Sequence, residues 1–331
     1  MDAYWQQRYA KTKEFLTRVW HLDNDDRPAF YLGVYVEPHE TLLERFRNPD
    51  RMLAHSLREI EARWGIRDDS VPALSTYLGT AIFPSAFGCQ VEWYEEQDPW
   101  ARFLISDDPQ QVYALESPKV TDGLLGQVLE NTRYMVNATG DAYPVRMTDV
   151  QGPLDTAYLI WNPTDFILAM YDSPREVHYL LHLITDLIIR FVQAQRALVS
   201  DFIPCHLQAW LPDGYGICLS DDAASVLSPE LYAEFGVPYI NEVSEAFNGV
   251  FLHSCGNFAH NLPSLKNVSR LRGLDFGASE TPFEAVVEAF SGQTVICPHV
   301  GLNKEIRFRS MTHYLEHILA HKRTNRGLYI L

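Results

Sequence analysis

The densest group of chemically capable residues in the chain is Phe251-Leu252-His253-Ser254-Cys255-Gly256-Asn257. A short apolar run ends in a histidine and a cysteine two residues apart, and a glycine follows. Side chains at i and i+2 of a strand point to the same face, so an imidazole and a thiolate would converge at one strand end. That pair suits a tetrahedral zinc ion, whose usual ligands are cysteine sulfur and histidine nitrogen. Gly256 would let the chain turn sharply behind the cysteine. The plainer reading is a strand with one packed histidine and one buried cysteine, since free cysteines are among the most buried residues. Two ligands do not make a site. The choice depends on what else the fold brings to the same place.

Along the chain, short apolar runs alternate with amphipathic helical patterns. Ala29–Val36, Val71–Thr76, Val145–Thr148, Cys205–Trp210, Val250–His253, Arg272–Phe276, Thr294–Cys297 and Gly327–Leu331 read as strands. Eight β/α units in 331 residues predict an α/β fold, a TIM (β/α)8 barrel over residues 29–331. Residues 1–28 read as an N-terminal helical extension that plugs or flanks the barrel, with Trp5, Tyr9, Leu16 and Trp20 on one face.

Several helix starts are marked. Ser173-Pro174-Arg175-Glu176 and Thr281-Pro282-Phe283-Glu284 each place a capping hydroxyl ahead of a proline. After the first, Val177, Leu180, Leu181, Ile184, Leu187, Ile188 and Phe191 form a stripe at helical spacing that reads as core. Ser228-Pro229-Glu230 opens another helix, and Pro238 must kink or end it before Gly249.

Active sites of such barrels gather at the C-terminal strand ends. Those ends offer Tyr35, Gln151, Gln208 and Trp210, then His253 with Cys255, then Asp275 and Glu280, and last Cys297 with His299. The long stretch Leu211–Leu227 adds Asp221 and Asp222. Adjacent carboxylates repel, so one is expected to hold a proton or face a cation. Cys297 could supply a third soft donor to His253 and Cys255, or be a buried strand cysteine, while His299 reads as a surface or pocket histidine.

Composition narrows the field. A net charge of −16 repels phosphates, which argues against nucleic acid and anionic membranes. Five widely spaced cysteines form no disulfide framework and fit a reducing, cytoplasmic setting. The start Met1-Asp2-Ala3-Tyr4-Trp5-Gln6 has no basic stretch followed by an apolar one, so export is not expected. No run of about 18 apolar residues suggests a membrane span.

Over nearly its full length the sequence resembles the uroporphyrinogen decarboxylase superfamily. The resemblance rests on Asp26-Arg27-Pro28, Ser228-Pro229-Glu230-Leu231-Tyr232 with Pro238-Tyr239, His253-Ser254-Cys255-Gly256 and Gly273-Leu274-Asp275. It implies a TIM barrel with its site at the C-terminal strand ends. True decarboxylases of the superfamily use no cofactor and bind substrate carboxylates with arginines after the first strand. Here residues 30–37 read FYLGVYVE, without arginine, and Ser75–Thr80 lacks the acid expected after the second strand.

The sequence is closer to the cobamide-dependent zinc methyltransferase branch, whose His-x-Cys motif His253 and Cys255 match. That branch takes a third ligand from a cysteine after the eighth strand, whereas this sequence ends at Leu331. A ligand beyond Leu331, Cys297 in its place, or an incomplete site are the open options. The resemblance implies a zinc-dependent methyltransferase that moves a methyl group between a corrinoid on a partner protein and a thiol or similar small acceptor, with a homodimer as the expected assembly. Asp222 and Glu280 would be catalytic. Tyr35, Gln151, Gln208, Trp210, Asp221 and Asp275 would bind substrate, and His253, Cys255 and Cys297 the metal. A porphyrinogen decarboxylase, or a non-catalytic corrinoid- or small-molecule-binding barrel, are the alternatives.

Overall fold

The computed structural model describes residues 3–301 and 307–331, so the first two residues of the expected N-terminal extension lie outside it. The early strands are short: β1 Ala29–Phe30, β2 Leu74–Ser75, β3 Val91–Glu92, β4 Trp100–Ala101, β5 Val145–Arg146 and β6 Phe202–Ile203. The later ones are longer: β7 Ile217–Ser220, β8 Val250–Ser254, β9 Leu271–Gly277 and β10 Val295–His299, with β11 Tyr329–Ile330 last.

The chain divides into two units. The first comprises Met1–Gly33, Arg67–Val71 and Leu207–Leu331. Here β7 to β10 form a parallel sheet in the order β10-β9-β8-β7, and β1 pairs in parallel with β11. A parallel bridge between Ile296 and Leu328 links β10 to the segment entering β11. A helix follows each sheet strand, including Val237–Phe247 after β7, Phe283–Phe290 after β9 and Met311–His321 after β10. Parallel neighbours need such crossovers, because a tight turn can only reverse the chain.

The second unit, Val34–Ile66 and Pro72–His206, holds the parallel sheet β2-β5-β6 and the antiparallel pair β3-β4. The α/β alternation and parallel strands expected from sequence are therefore present. No sheet closes on itself among the described residues.

Two strand expectations need correction. Cys205–Trp210 is irregular, and the strand lies just before it as β6. Pro204 has no N–H to give a ladder, and the Cys205 amide turns back onto the Ile203 carbonyl at 2.7 Å. Conversely, Leu211–Leu227 is not one long loop, since it contains β7 and the single 3-10 turn Asp222–Ser225. Four residues, three of them apolar, are too few to show a period, which hid β7. Its entry depends on Gly216 at φ +128°, where an added Cβ would lie 2.7 Å from the Gly249 carbonyl oxygen.

The helical expectations fare better. The Ala3–Trp20 helix buries Trp5, Tyr9, Leu16 and Trp20. Trp20 donates its indole N–H to the Trp210 carbonyl at 2.6 Å and meets Phe251 edge-on, near the start of β8. Gly273 makes room for both rings. In the second unit the stripe of the Pro174–Arg196 helix is fully buried. That helix is long and apolar enough to cross a membrane, but half of the qualifying stretch is packed inside the protein, as in a core helix. The helix expected over Leu231–Phe247 is two helices, Pro229–Phe235 and Val237–Phe247, parted at Gly236 just before Pro238.

Candidate metal centre

β8 lies between β7 and β9, and its register sets His253 beside Ser220 on one side and Asp275 on the other. Asp275 in turn lies beside Cys297 of β10. Parallel strands in register put such neighbours on one face of the sheet. The C-terminal ends of four strands thus deliver their chemistry to one place.

Asp275 hydrogen-bonds Nδ1 of His253. The other ring nitrogen, Nε2, is 3.3 Å from Cys255 Sγ, within the span expected of two ligands on one ion. Beyond β8 the chain turns at Gly256, whose φ of +77° is left-handed and natural only to glycine. The turn is held from two sides. The Cys255 amide donates to Asp222 Oδ1 at 2.6 Å, and Thr281 Oγ1 donates to the Gly256 carbonyl at 2.9 Å while accepting from the Phe258 amide at 3.1 Å. Thr281, expected as a helix cap, braces this turn instead. Ser173 likewise makes no side-chain capping bond, whereas Ser228 accepts from the Leu231 amide at 3.4 Å.

Two groups of potential ligands share His253. In one, Asp222, His253 and Cys255 hold their ligand atoms within 4.8 Å of one another; in the other, His253, Asp275 and His299 do so. Hydrogen bonding separates them. His299 Nδ1 accepts from the Gly301 amide at 3.1 Å, so in the neutral ring the proton sits on Nε2, which faces Asp275 Oδ1 at 3.7 Å. That group is two imidazoles arranged around a carboxylate. In the first group the Asp275 bond to Nδ1 leaves Nε2 of His253 turned toward Cys255. A carboxylate behind a histidine is the usual way a ligand ring is oriented and made more basic. The first group is the better candidate for holding a metal.

Burial alone would strip His253 of its proton, but the hydrogen bonds and negative charges of Asp275 and Cys255 outweigh it and raise the imidazole to about 11. At neutral pH the ring therefore carries a proton that a metal would have to displace. The acidic pair is split in function. Asp221 is buried beneath the site and accepts from the Tyr232 hydroxyl, and its amide donates to the His253 carbonyl at 2.7 Å. Burial is the largest influence on its carboxyl and pushes it up to about 7; Tyr232 works the other way and the Asp222 charge adds to the rise. Of the two carboxylates, it is that of Asp222 that groups with the His253 and Cys255 side chains.

The remaining candidates are placed as follows. Cys297 is fully buried on β10 and joins neither ligand group, whereas His299, two residues on, joins one. Glu280 also lies outside both, with Oε2 packed against Gly277 and Gly301. Gln208 accepts from the Tyr31 hydroxyl at 2.9 Å, and Trp210 caps the core beside Trp20. Tyr35 and Gln151 belong to the second unit. There Tyr35 is exposed, and Gln151 is buried and donates to Asp149, which also lies 3.4 Å from His206 Nε2. The roles of Tyr232 beneath the site and Thr281 at the turn, and the partnership of His299 with Asp275, are not legible in the sequence. For His299 a signal existed, an i, i+2 pairing with Cys297 that mirrors His253 and Cys255.

The sequence profile of the uroporphyrinogen decarboxylase (URO-D) family matches residues 36–297. Among solved structures, a methyltransferase from Methanosarcina mazei superposes with a TM-score of 0.69 at 16% identity, covering 96% of this chain and 92% of that one. At that identity the likeness speaks for the fold. No curated protein matches the chain.

Proposed function

The chain belongs to the uroporphyrinogen decarboxylase family, and from that membership we propose that it is a zinc-dependent methyltransferase. It would move a methyl group from a corrinoid carried by a partner protein to a small thiol. The observation that carries this reading is the 3.3 Å approach of His253 Nε2 to Cys255 Sγ at a strand end, with Asp275 holding Nδ1.

Imidazole, thiolate and the Asp222 carboxylate are the donor types of a borderline-soft ion, and three protein ligands leave the fourth position open. Zinc held there would lower the pKa of a thiol bound in that position, so that a thiolate forms at neutral pH. The chain's own residues do the positioning. Asp275 fixes the ring of His253, while Asp222 and Thr281 fix the turn that presents Cys255. His253 must give up the proton on Nε2 before that nitrogen can ligate. In the transfer, the acceptor sulfur bonds the methyl carbon while the bond from that carbon to the donor breaks, its electron pair staying with the donor. The thiol proton leaves to solvent.

Cobalt(II) in place of zinc should give the near-ultraviolet absorption of a thiolate–metal bond, absent from His253→Ala and Cys255→Ser. The same substitutions should abolish methyl transfer from a methylcorrinoid to small thiols. Turnover that survives Cys255→Ser would refute the reading. Bound metal without any turnover would favour a binding barrel.

A further inference from the structure

A second cluster lies apart from that centre, on the helices outside the sheet of the first unit. We propose that Glu284, His317 and His321 form a separate binding site for a divalent transition-metal ion, with zinc the ion best suited to it. The inference does not depend on the methyltransferase reading.

His317 and His321 are one turn apart on the Met311–His321 helix, so their rings lie on the same face, with centroids 4.4 Å apart. Glu284 projects from the first turn of the Phe283–Phe290 helix. Its Oε1 is 3.4 Å from His317 Nε2 and 3.8 Å from His321 Nε2. A tetrahedral zinc with bonds of about 2.0–2.1 Å holds neighbouring ligand atoms about 3.3–3.4 Å apart. The cluster is therefore within a small side-chain adjustment of coordination geometry.

The protonation pattern points the same way. Nδ1 of His321 bonds the His317 carbonyl at 2.8 Å, and a carbonyl can only accept. The proton of a neutral His321 thus sits on Nδ1, and the Nε2 lone pair faces Glu284. Among the described residues, His317 Nε2 and Glu284 Oε2 are buried atoms with no hydrogen-bond partner. Arg307, 3.8 Å from Glu284 Oε2, faces the other carboxylate oxygen and leaves Oε1 to the histidines. Two imidazoles and one carboxylate are a frequent zinc set with an open fourth position. Glu284 and His321 are each nearly half exposed, so water can fill it.

The test uses the full chain and zinc itself, titrated against a chromophoric chelator. The His253→Ala/Cys255→Ser double variant should still bind one zinc. Adding His317→Gln or His321→Gln should abolish that binding, with the circular dichroism spectrum unchanged. If the double variant fails to fold, His317→Gln/His321→Gln in the otherwise natural chain should lose one zinc equivalent yet keep the cobalt–thiolate absorption. Zinc uptake indifferent to both histidine substitutions would overturn the proposal. Absence of the thiolate absorption alone would count against the His253–Cys255 centre and not against this one.

Discussion

Replacing Asp275 with asparagine should separate the two jobs assigned to it. The amide keeps the shape and can still accept from Nδ1 of His253, but the negative charge is gone. Asp275 is almost fully buried and His253 half-buried, so solvent screens the lost interaction little. Loss of a carboxylate behind a ligating histidine typically costs about 10–100-fold in metal affinity, or about 1.4–2.7 kcal/mol. Zinc competition should show a loss of that size once the pH is high enough that the His253 proton no longer competes.

The metal-free protein offers an independent reading of the same charge. Folded His253 is raised to about 11 against an ordinary 6.5. Its contribution to stability is complete below pH 6.5 and is lost as pH climbs through 11. In Asp275→Asn the folded value falls, so that loss should begin at lower pH and be smaller, seen by chemical denaturation across the range and by NMR titration of the ring. Because the proton on Nε2 must leave before a metal binds, zinc affinity should also rise with pH, and less steeply in the variant. An Asp275→Asn protein with wild-type zinc affinity and an unchanged His253 titration would refute the role given to this pair.

Asp221→Asn should flatten the pH profile in a different window. A buried carboxyl pushed up from 3.8 to about 7 favours folding fully below pH 3.8 and loses that contribution as pH rises through 7, so the asparagine form should be relatively more stable at pH 8. Gly256→Ala forces a left-handed residue, costing about 1–2 kcal/mol. Its Cβ would also meet the Ser225 side chain at 2.9 Å, displacing the turn that carries Asp222, so zinc affinity should fall together with the melting temperature. Finally, the purified protein should release no coproporphyrinogen from uroporphyrinogen, since residues 30–37 offer no arginine to a polycarboxylate. Robust conversion in a chromatographic assay would overturn the branch assignment.

Local pattern was enough for the elements that repeat a period over many residues. The Pro174–Arg196 stripe and the aromatic face of the first helix are legible because burial recurs at helical spacing. His253 and Cys255 are legible for a related reason: two residues apart where a strand ends, they share a face as long as the extended backbone runs one residue past β8. β7 was not, because four residues show no period and its identity rests on a backbone pairing with β8. The same limit governs the site. Nothing in the sequence distinguishes Asp222 from Asp221, yet β7 ends just before them and a 3-10 turn begins at Asp222, leaving one buried against Tyr232 and the other bonded to the Cys255 amide. Asp275 and His299 meet only because β8, β9 and β10 lie side by side. The His317–His321 spacing can likewise be read along one helix, but Glu284 reaches it from another. Spacing along the chain determines which side chains share a face. Only packing of distant segments decides which faces meet, because that choice is made by backbone hydrogen bonds and burial that have no local signature.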